Sequence, residues 1–435
     1  MKMNDLTVFE NPVLHEKYYR FFHKSGLPIY VFPKAHTTTC AFFGTRYGSV
    51  DNCFRLAGET AYTTVPDGIA HYLEHRMFTQ ADGSDVTEQF SAIGADSNAF
   101  TTYAKTVYIC NCTERAEEAI ATLLDFVTQP HFTEELVEKE RGIICQEILM
   151  GEDNPYNRCF DLLMEAMYHS CSVRKNVAGT VSSVSKITAE MLNRCYDVFY
   201  NPANMALVVC GDITPEAVAA AADRALPDSF SAKAVERFYD KETDAVKDAY
   251  VEAQMVVSKP LFSIGIKDPV IVADGEERMR RYATMSLLCD VIFCRSGELY
   301  NMLFEEGLIS PDFSFYYTCT DLFAYTAISG EADCPEEVLR RIKAYIGDLA
   351  KRGVSEADFE RSRRVLYAEY VKNFDATEEI AYDMIDFIFD GAELLTFGDK
   401  VLDVTLEQAN ALLESAFLDQ YFSLSVIRPK RRENL

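Results

Sequence analysis

The stretch Gly68-Ile69-Ala70-His71-Tyr72-Leu73-Glu74-His75-Arg76-Met77-Phe78 decides how the rest of the chain is read. As a helix it carries His71 and His75 on one face, four residues apart, with Glu74 beside them. Two imidazoles on one face can hold a divalent metal, and a carboxylate next to them can take a proton from water that the metal activates. The chain has seven histidines in 435 residues, so a chance pairing at this spacing is rare. The bland alternative is a surface helix with two ordinary histidines.

A catalytic zinc takes three protein ligands and leaves one position open. A further Asp, Glu, His or Cys is therefore needed near His71 and His75. The helix predicted over 133–150 offers Glu140 and Glu147, two turns apart on one face. Glu147 falls in the apolar run Ile143-Ile144-Cys145-Gln146-Glu147-Ile148-Leu149. Burying a carboxylate there is costly unless it is paired or metal-bound, so Glu147 is the expected third ligand. Glu140, on the same stripe, is expected to accept a hydrogen bond from a ligand imidazole. Glu134, Glu135 and Glu138 read as a solvated acidic face.

Upstream of the histidines, apolar runs at 27–32 and 38–47 read as strands, and Asp67 as the N-cap of the histidine helix. Downstream, 85–93 reads as a helix, 106–110 as a strand and 115–127 as a helix. Thr133 reads as a cap, and Asp153-Asn154-Pro155 as a stop. Helical stretches then run to Tyr200, followed by a buried strand at 205–210. Residues 228–248 are polar and weakly periodic, and read as a linker between an N-terminal lobe (1–227) and a C-terminal lobe (249–435). In the second lobe 252–266 is strand-like and 277–306 helical. Strands at 313–320 and 324–329 precede two more helices.

The halves resemble one another. Phe132-Thr133-Glu134 stands opposite Val354-Ser355-Glu356, and Glu147 opposite Glu369, at a constant offset of 222 residues. Two copies with a shared capped start point to a duplicated lobe rather than a solenoid. All seven histidines, from His15 to His169, lie in the first copy. The second cannot rebuild a two-histidine site, so one lobe is catalytic and the other packs or holds substrate.

Hydrophobic content of 48% with 25% charged residues is that of an ordinary globular protein. Nothing approaches a membrane span, and the first residues carry no apolar run that would make a secretory signal. Thirteen scattered cysteines without a Cys-x-x-Cys pair argue against a disulfide framework and for a reducing cytoplasm. A net charge of −26 argues against nucleic-acid binding; it reads first as a solvated acidic surface and second as an attraction for basic partners such as cationic peptides. The basic cluster Arg428, Lys430, Arg431 and Arg432 reads as a short tail without a binding role.

His71-Tyr72-Leu73-Glu74-His75, followed by Glu140 and then Glu147, 72 residues beyond His75, resembles the pitrilysin/insulinase family of inverted zinc metallopeptidases. The likeness covers about 20–430 and is greatest with half-length bacterial processing-peptidase-like members. It implies an α+β fold of two homologous lobes, each a mostly antiparallel sheet backed by helices. It implies one Zn2+ per chain on His71, His75 and Glu147, with Glu74 as the base of a zinc metalloendopeptidase. Asn98-Ala99-Phe100-Thr101 resembles the family's substrate edge, along which a peptide would lie extended. Half-length members pair two chains, so a homodimer or a heterodimer with a related chain is expected. The family's Arg and Tyr near a Gly-Leu are missing from Leu303-Phe304-Glu305-Glu306-Gly307-Leu308-Ile309-Ser310. That departure supports an alternative, a non-enzymatic or partner-dependent scaffold subunit.

Overall fold

The segment Thr39–Thr45 is buried at all of its positions, as is Met205–Gly211. Strands of that kind belong in the middle of a sheet covered on both faces. The computed structural model describes residues 6–430. The reading of the extreme N-terminus and of Arg431 and Arg432 lies outside the described residues.

Strands of the first half are β1 (Thr7–Asn11), β2 (Glu16–Phe22), β3 (Pro28–Pro33), β4 (Thr39–Thr45), β5 (Cys53–Leu56) and β6 (Thr63–Thr64), followed by β7 (Ala95–Thr101), β8 (Thr106–Cys112) and β9 (Met205–Gly211). Its helices are α1 (Ile69–Met77), α2 (Val86–Ala92), α3 (Ala116–Thr128), α4 (Glu134–Asp153), α5 (Pro155–Met167), α6 (Val181–Val184), α7 (Ala189–Phe199) and α8 (Pro215–Ala225). Seven strands form one sheet in the order β1-β2-β3-β9-β4-β8-β7. Its pairs are antiparallel except β3 with β9.

The second half contributes β11 (Tyr250–Met255), β12 (Leu261–Lys267), β13 (Ser314–Cys319), β14 (Ala324–Glu331) and β15 (Phe422–Pro429), after a short β10 (Val235–Arg237). Its sheet runs β11-β15-β12-β14-β13, antiparallel except β11 with β15. Helices α9 (Gly275–Phe293), α10 (Glu298–Glu305), α11 (Pro335–Arg352), α12 (Glu356–Asn373), α13 (Thr377–Asp390), α14 (Phe397–Asp403) and α15 (Leu406–Ala416) complete it. The fold is α+β, with each sheet mostly antiparallel and backed by helices.

The repeat is visible in the caps. Thr133 Oγ1 accepts the N–H of Leu136, and Ser355 Oγ that of Asp358. The same 222-residue offset relates β4 to β12 and α5 to α13. These two helices are exchanged. Helix α5 packs on β12 and β15 of the second sheet, while α13 packs on β4 and β9 of the first. A glycine marks each crossing. A Cβ on Gly265 would sit 2.2 Å from Met167 Sδ of α5, and one on Gly44 would sit 3.1 Å from the Phe389 ring of α13. One core lies under α1–α4, α7 and α8. The other joins the second half to the opposite face of the first sheet through Ile380, Met384 and Ile385.

Several expectations change. Gly68, not Asp67, caps α1, with φ of 89° and no side-chain hydrogen bond. That left-handed geometry suits glycine, while Asp67 accepts hydrogen bonds from Asn52 and Lys175 instead. Residues 252–266 are two strands, β11 and β12, and five helices, not two, separate β14 from the chain's last strand. Strands β1, β2 and β15 were not anticipated. Arg428 belongs to β15, where it pairs with Glu252 and Glu336, so it is no tail residue. Within 228–248, β10 pairs with β5. No helix of the described residues is long and apolar enough to cross a membrane, and all thirteen cysteines are free thiols.

Candidate metal centre and active site

Helix α1 is short and almost wholly buried, and Tyr72 fixes it to α4 by donating its hydroxyl to the carbonyl of Val137. This sets His71 and His75 opposite Glu147. His71 Nε2 lies 3.6 Å from Glu147 Oε1, and His75 Nε2 lies 3.4 Å from Glu147 Oε2. One donor atom from each of the three can be chosen so that all lie within 4.8 Å of one another. Two imidazole nitrogens and one carboxylate oxygen are the donor chemistry of a catalytic zinc site, so these residues fit the ion.

Glu147 is not buried as expected. Its side chain is half-exposed. The period of α4 turns Ile144 and Ile148 to the core and leaves Ile143, Glu147 and Met150 on the outer face. The apolar run therefore does not enclose the carboxylate, and burial does not account for its place opposite the two histidines.

Glu140 is placed as expected. His75 Nδ1 and Glu140 Oε1 are 3.2 Å apart, which directs Nε2 of His75 toward Glu147. Arg76, overlooked in the sequence, is 1% exposed and lies behind this pair, 3.6 Å from Glu140 Oε2. Burial opposes charge on His75, but the carboxylates of Glu140, Glu74 and Glu147 outweigh it and hold its pKa above the usual value. Burial, and then His75, push His71 down to about 4, so it is neutral near pH 7, the form that ligates a metal.

Glu74 is 7% exposed, and burial raises its pKa against the hydrogen bond from Thr101 and the charge of His75. Thr101 Oγ1 donates to Glu74 Oε2 over 2.5 Å. Thr101 Oγ1 is also 3.1 Å from Thr106 Oγ1, which itself donates to the carbonyl of Tyr47. Thr101 ends β7, the edge strand of the large sheet. Of the four residues expected along the substrate edge, Asn98 is exposed and Ala99 and Phe100 are partly covered. The Phe100 ring faces Tyr382 of α13 at 5.6 Å. Of these four, only Thr101 hydrogen-bonds to a residue of the candidate site, Glu74.

A short helix presenting His-x-x-Glu-His, completed by a glutamate from a second helix on a duplicated α+β frame, defines the inverted zinc-peptidase class. The family model described as Insulinase (Peptidase family M16) matches residues 57–181, and that described as Peptidase M16 inactive domain matches 186–366. The chain belongs to the M16 family. It is 34% identical to the uncharacterized zinc protease YmfH of Bacillus subtilis (strain 168), over 96% of this chain and 98% of that one. The crystal structure of an M16-like peptidase from Alicyclobacillus acidocaldarius superposes with a TM-score of 0.92 at 33% identity, covering 97% of this chain and all of that one. Pitrilysin, at 17% identity and a TM-score of 0.75, shares the fold, and 99% of this chain spans 47% of its length.

Proposed function

We propose that the chain is a zinc-dependent endopeptidase acting on peptides or unfolded segments that add as a strand to the edge of β7. The observation that carries this reading is the convergence of His71, His75 and Glu147 beside the buried carboxylate of Glu74. One zinc ion held there would supply Lewis acidity toward the scissile carbonyl and the attacking water. Glu74 takes the proton of that water on the oxygen that Thr101 leaves free, then passes it to the leaving amine. Glu140 and Arg76 hold His75 in place. The main chain of β7 pairs with the substrate backbone, a mode that reads extension more than sequence.

The test is metal content. Purified chain should carry one zinc, His71→Ala and Glu147→Ala should lose it, and Glu140→Gln should weaken it by about tenfold or more. Zinc retained in full by both ligand variants would refute the site.

A partner-dependent reading draws on one feature. Ile143 and Met150 are 54% and 73% exposed on the face of α4 that carries Glu147. A second half-length chain, the same or related, would cover them and complete the substrate chamber. Activity that appears only above a dimerisation threshold, measured with light scattering, supports this over a self-sufficient monomer. The thirteen free thiols support a cytoplasmic location.

A further inference from the structure

The two histidines of α1 are held in different ways. His75 has Glu140 on its Nδ1, and Arg76 stands behind that pair. His71 has nothing comparable. Its Nδ1 is buried and has no hydrogen-bond partner among the described residues. No polar side chain therefore fixes the His71 ring, and its aim at Glu147 rests on the backbone that carries it. His71 is the third residue of α1, inside the first turn, and the helix begins at Gly68 without a side-chain cap.

That first turn is gripped from outside by residues 175–179, in the loop between α5 and α6. Lys175 Nζ lies 2.8 Å from Asp67 Oδ1, which also accepts a hydrogen bond from Asn52. Asn176 shapes the turn that follows, since its Oδ1 accepts the N–H of Ala178 and its carbonyl that of Gly179. Gly179, with φ of 76°, then meets the chain ahead of α1 backbone to backbone. A Cβ on Gly179 would lie 2.5 Å from the carbonyl oxygen of Asp67, and one on Gly68 would collide with that of Ala178. Left-handed glycines on both sides permit the approach. The loop has fixed surroundings of its own. Helix α6, capped by Thr180, packs on α4, the helix of Glu147. Asn176 Nδ2 donates to Asp161 of α5, and Val173 is buried in one cluster with Phe323 and Tyr325 of the second half.

We propose that residues 175–179 position His71. Lys175 and Gly179 hold Asp67 and Gly68, and through them set the span from His71 Nε2 to Glu147 Oε1, which is 3.6 Å. The metal site is then built from two separately supported halves. Glu140 and Arg76 serve His75, while a loop from the junction of the lobes serves His71. A shift of the backbone ahead of α1 changes the His71–Glu147 span and leaves His75 with its own partners. An ion must engage all three donors at once, so the loop and the ion stabilise one another.

The grip deepens the zinc reading, so one arm of its test needs no metal. Zinc affinity is measured by competition with a chelator, and ligand geometry from the visible spectrum of the cobalt-loaded chain. Gly179→Ala should weaken zinc by about tenfold or more and shift the cobalt bands. Lys175→Met, which breaks a half-exposed ion pair, should weaken zinc by about threefold, and Lys175→Arg should restore it. Gly398→Ala, whose methyl group crowds the Tyr370 ring in the second half, controls for lost stability and should alter neither readout. Affinity and spectrum unchanged in both Gly179→Ala and Lys175→Met, or equal weakening by Gly398→Ala, overturn the proposal. In the zinc-free chain, amide hydrogen exchange across 69–73 should quicken in Gly179→Ala and not in Gly398→Ala. That result in a chain that binds no zinc keeps the grip on α1 and rejects the metal site. Exchange that Gly179→Ala leaves unaltered overturns the grip whether or not zinc binds.

Discussion

The Thr101 hydroxyl ends on Glu74 Oε2, not on a peptide. Thr101 therefore acts as a positioning residue for the base, and its replacement has a distinctive signature. Thr101→Val should lower kcat by about tenfold with KM little changed, and Thr101→Ser should restore most of it. A rise in KM alone would return Thr101 to the substrate edge. At this scale the site was legible where spacing is local. His71, Glu74 and His75 fall within one turn and a half, and Glu140 and Glu147 within two, so helix periodicity alone orders them. The contacts of Arg76 with Glu140 and of Thr101 with Glu74 join separate elements, and no periodicity reports them. The exposure of Glu147 was misread for a related reason. An apolar run in a helix wraps around it, and only the residues at 3.6-residue spacing meet the core.

Among the elements, helices with side-chain caps were the easiest to place, because Asp85, Thr133, Asn154 and Ser355 each accept a backbone N–H at the predicted turn. Which sheet a helix would cover was not readable. Helix α5 follows α4 directly yet lies on the partner sheet, and its repeat mate α13 does the reverse. Nothing local in either helix distinguishes a neighbouring sheet from a distant one, since both present an apolar face. The crossings depend on small residues in the strands. Gly265→Ala should destabilise the chain by about 2 kcal/mol, because Met167 and Leu163 must retreat from the new methyl group. Gly44→Ala should cost less, since the Phe389 ring and Ile385 need yield only a few tenths of an ångström. Urea denaturation of both variants checks the order, and equal midpoints would contradict the exchanged packing.

Across the whole molecule, the polar segment between the halves is held by a specific clamp. Glu242 accepts the N–H groups of Ser170 and Cys171 and pairs with Lys267, a lysine of β12 that also donates to the carbonyl of Met167. Burial pushes the Glu242 carboxyl up, but these donors outweigh it and hold it down to about 2. A carboxylate with a depressed folded pKa contributes stability that is complete above its unfolded value of about 4.5 and is lost as pH falls toward 2. Glu242→Gln should therefore cost about 2 kcal/mol at pH 7. The gap from the unmutated chain should close between pH 4.5 and 2 in thermal melts, and a gap constant across that window would show that the clamp is not ionic. The duplication was visible in the sequence because capped helix starts repeat at fixed offset. The clamp was not, since composition marks 228–248 only as polar and gives no partner for Glu242.

The central claim is that His71, His75 and Glu147 hold a zinc ion for which Glu74 is the base. It is tested most directly by turnover of a quenched peptide on unmutated and Glu74→Gln chains whose zinc content has been measured as equal. The account predicts that Glu74→Gln keeps its zinc and loses cleavage by at least about 100-fold, while undiminished turnover at full zinc occupancy would contradict it.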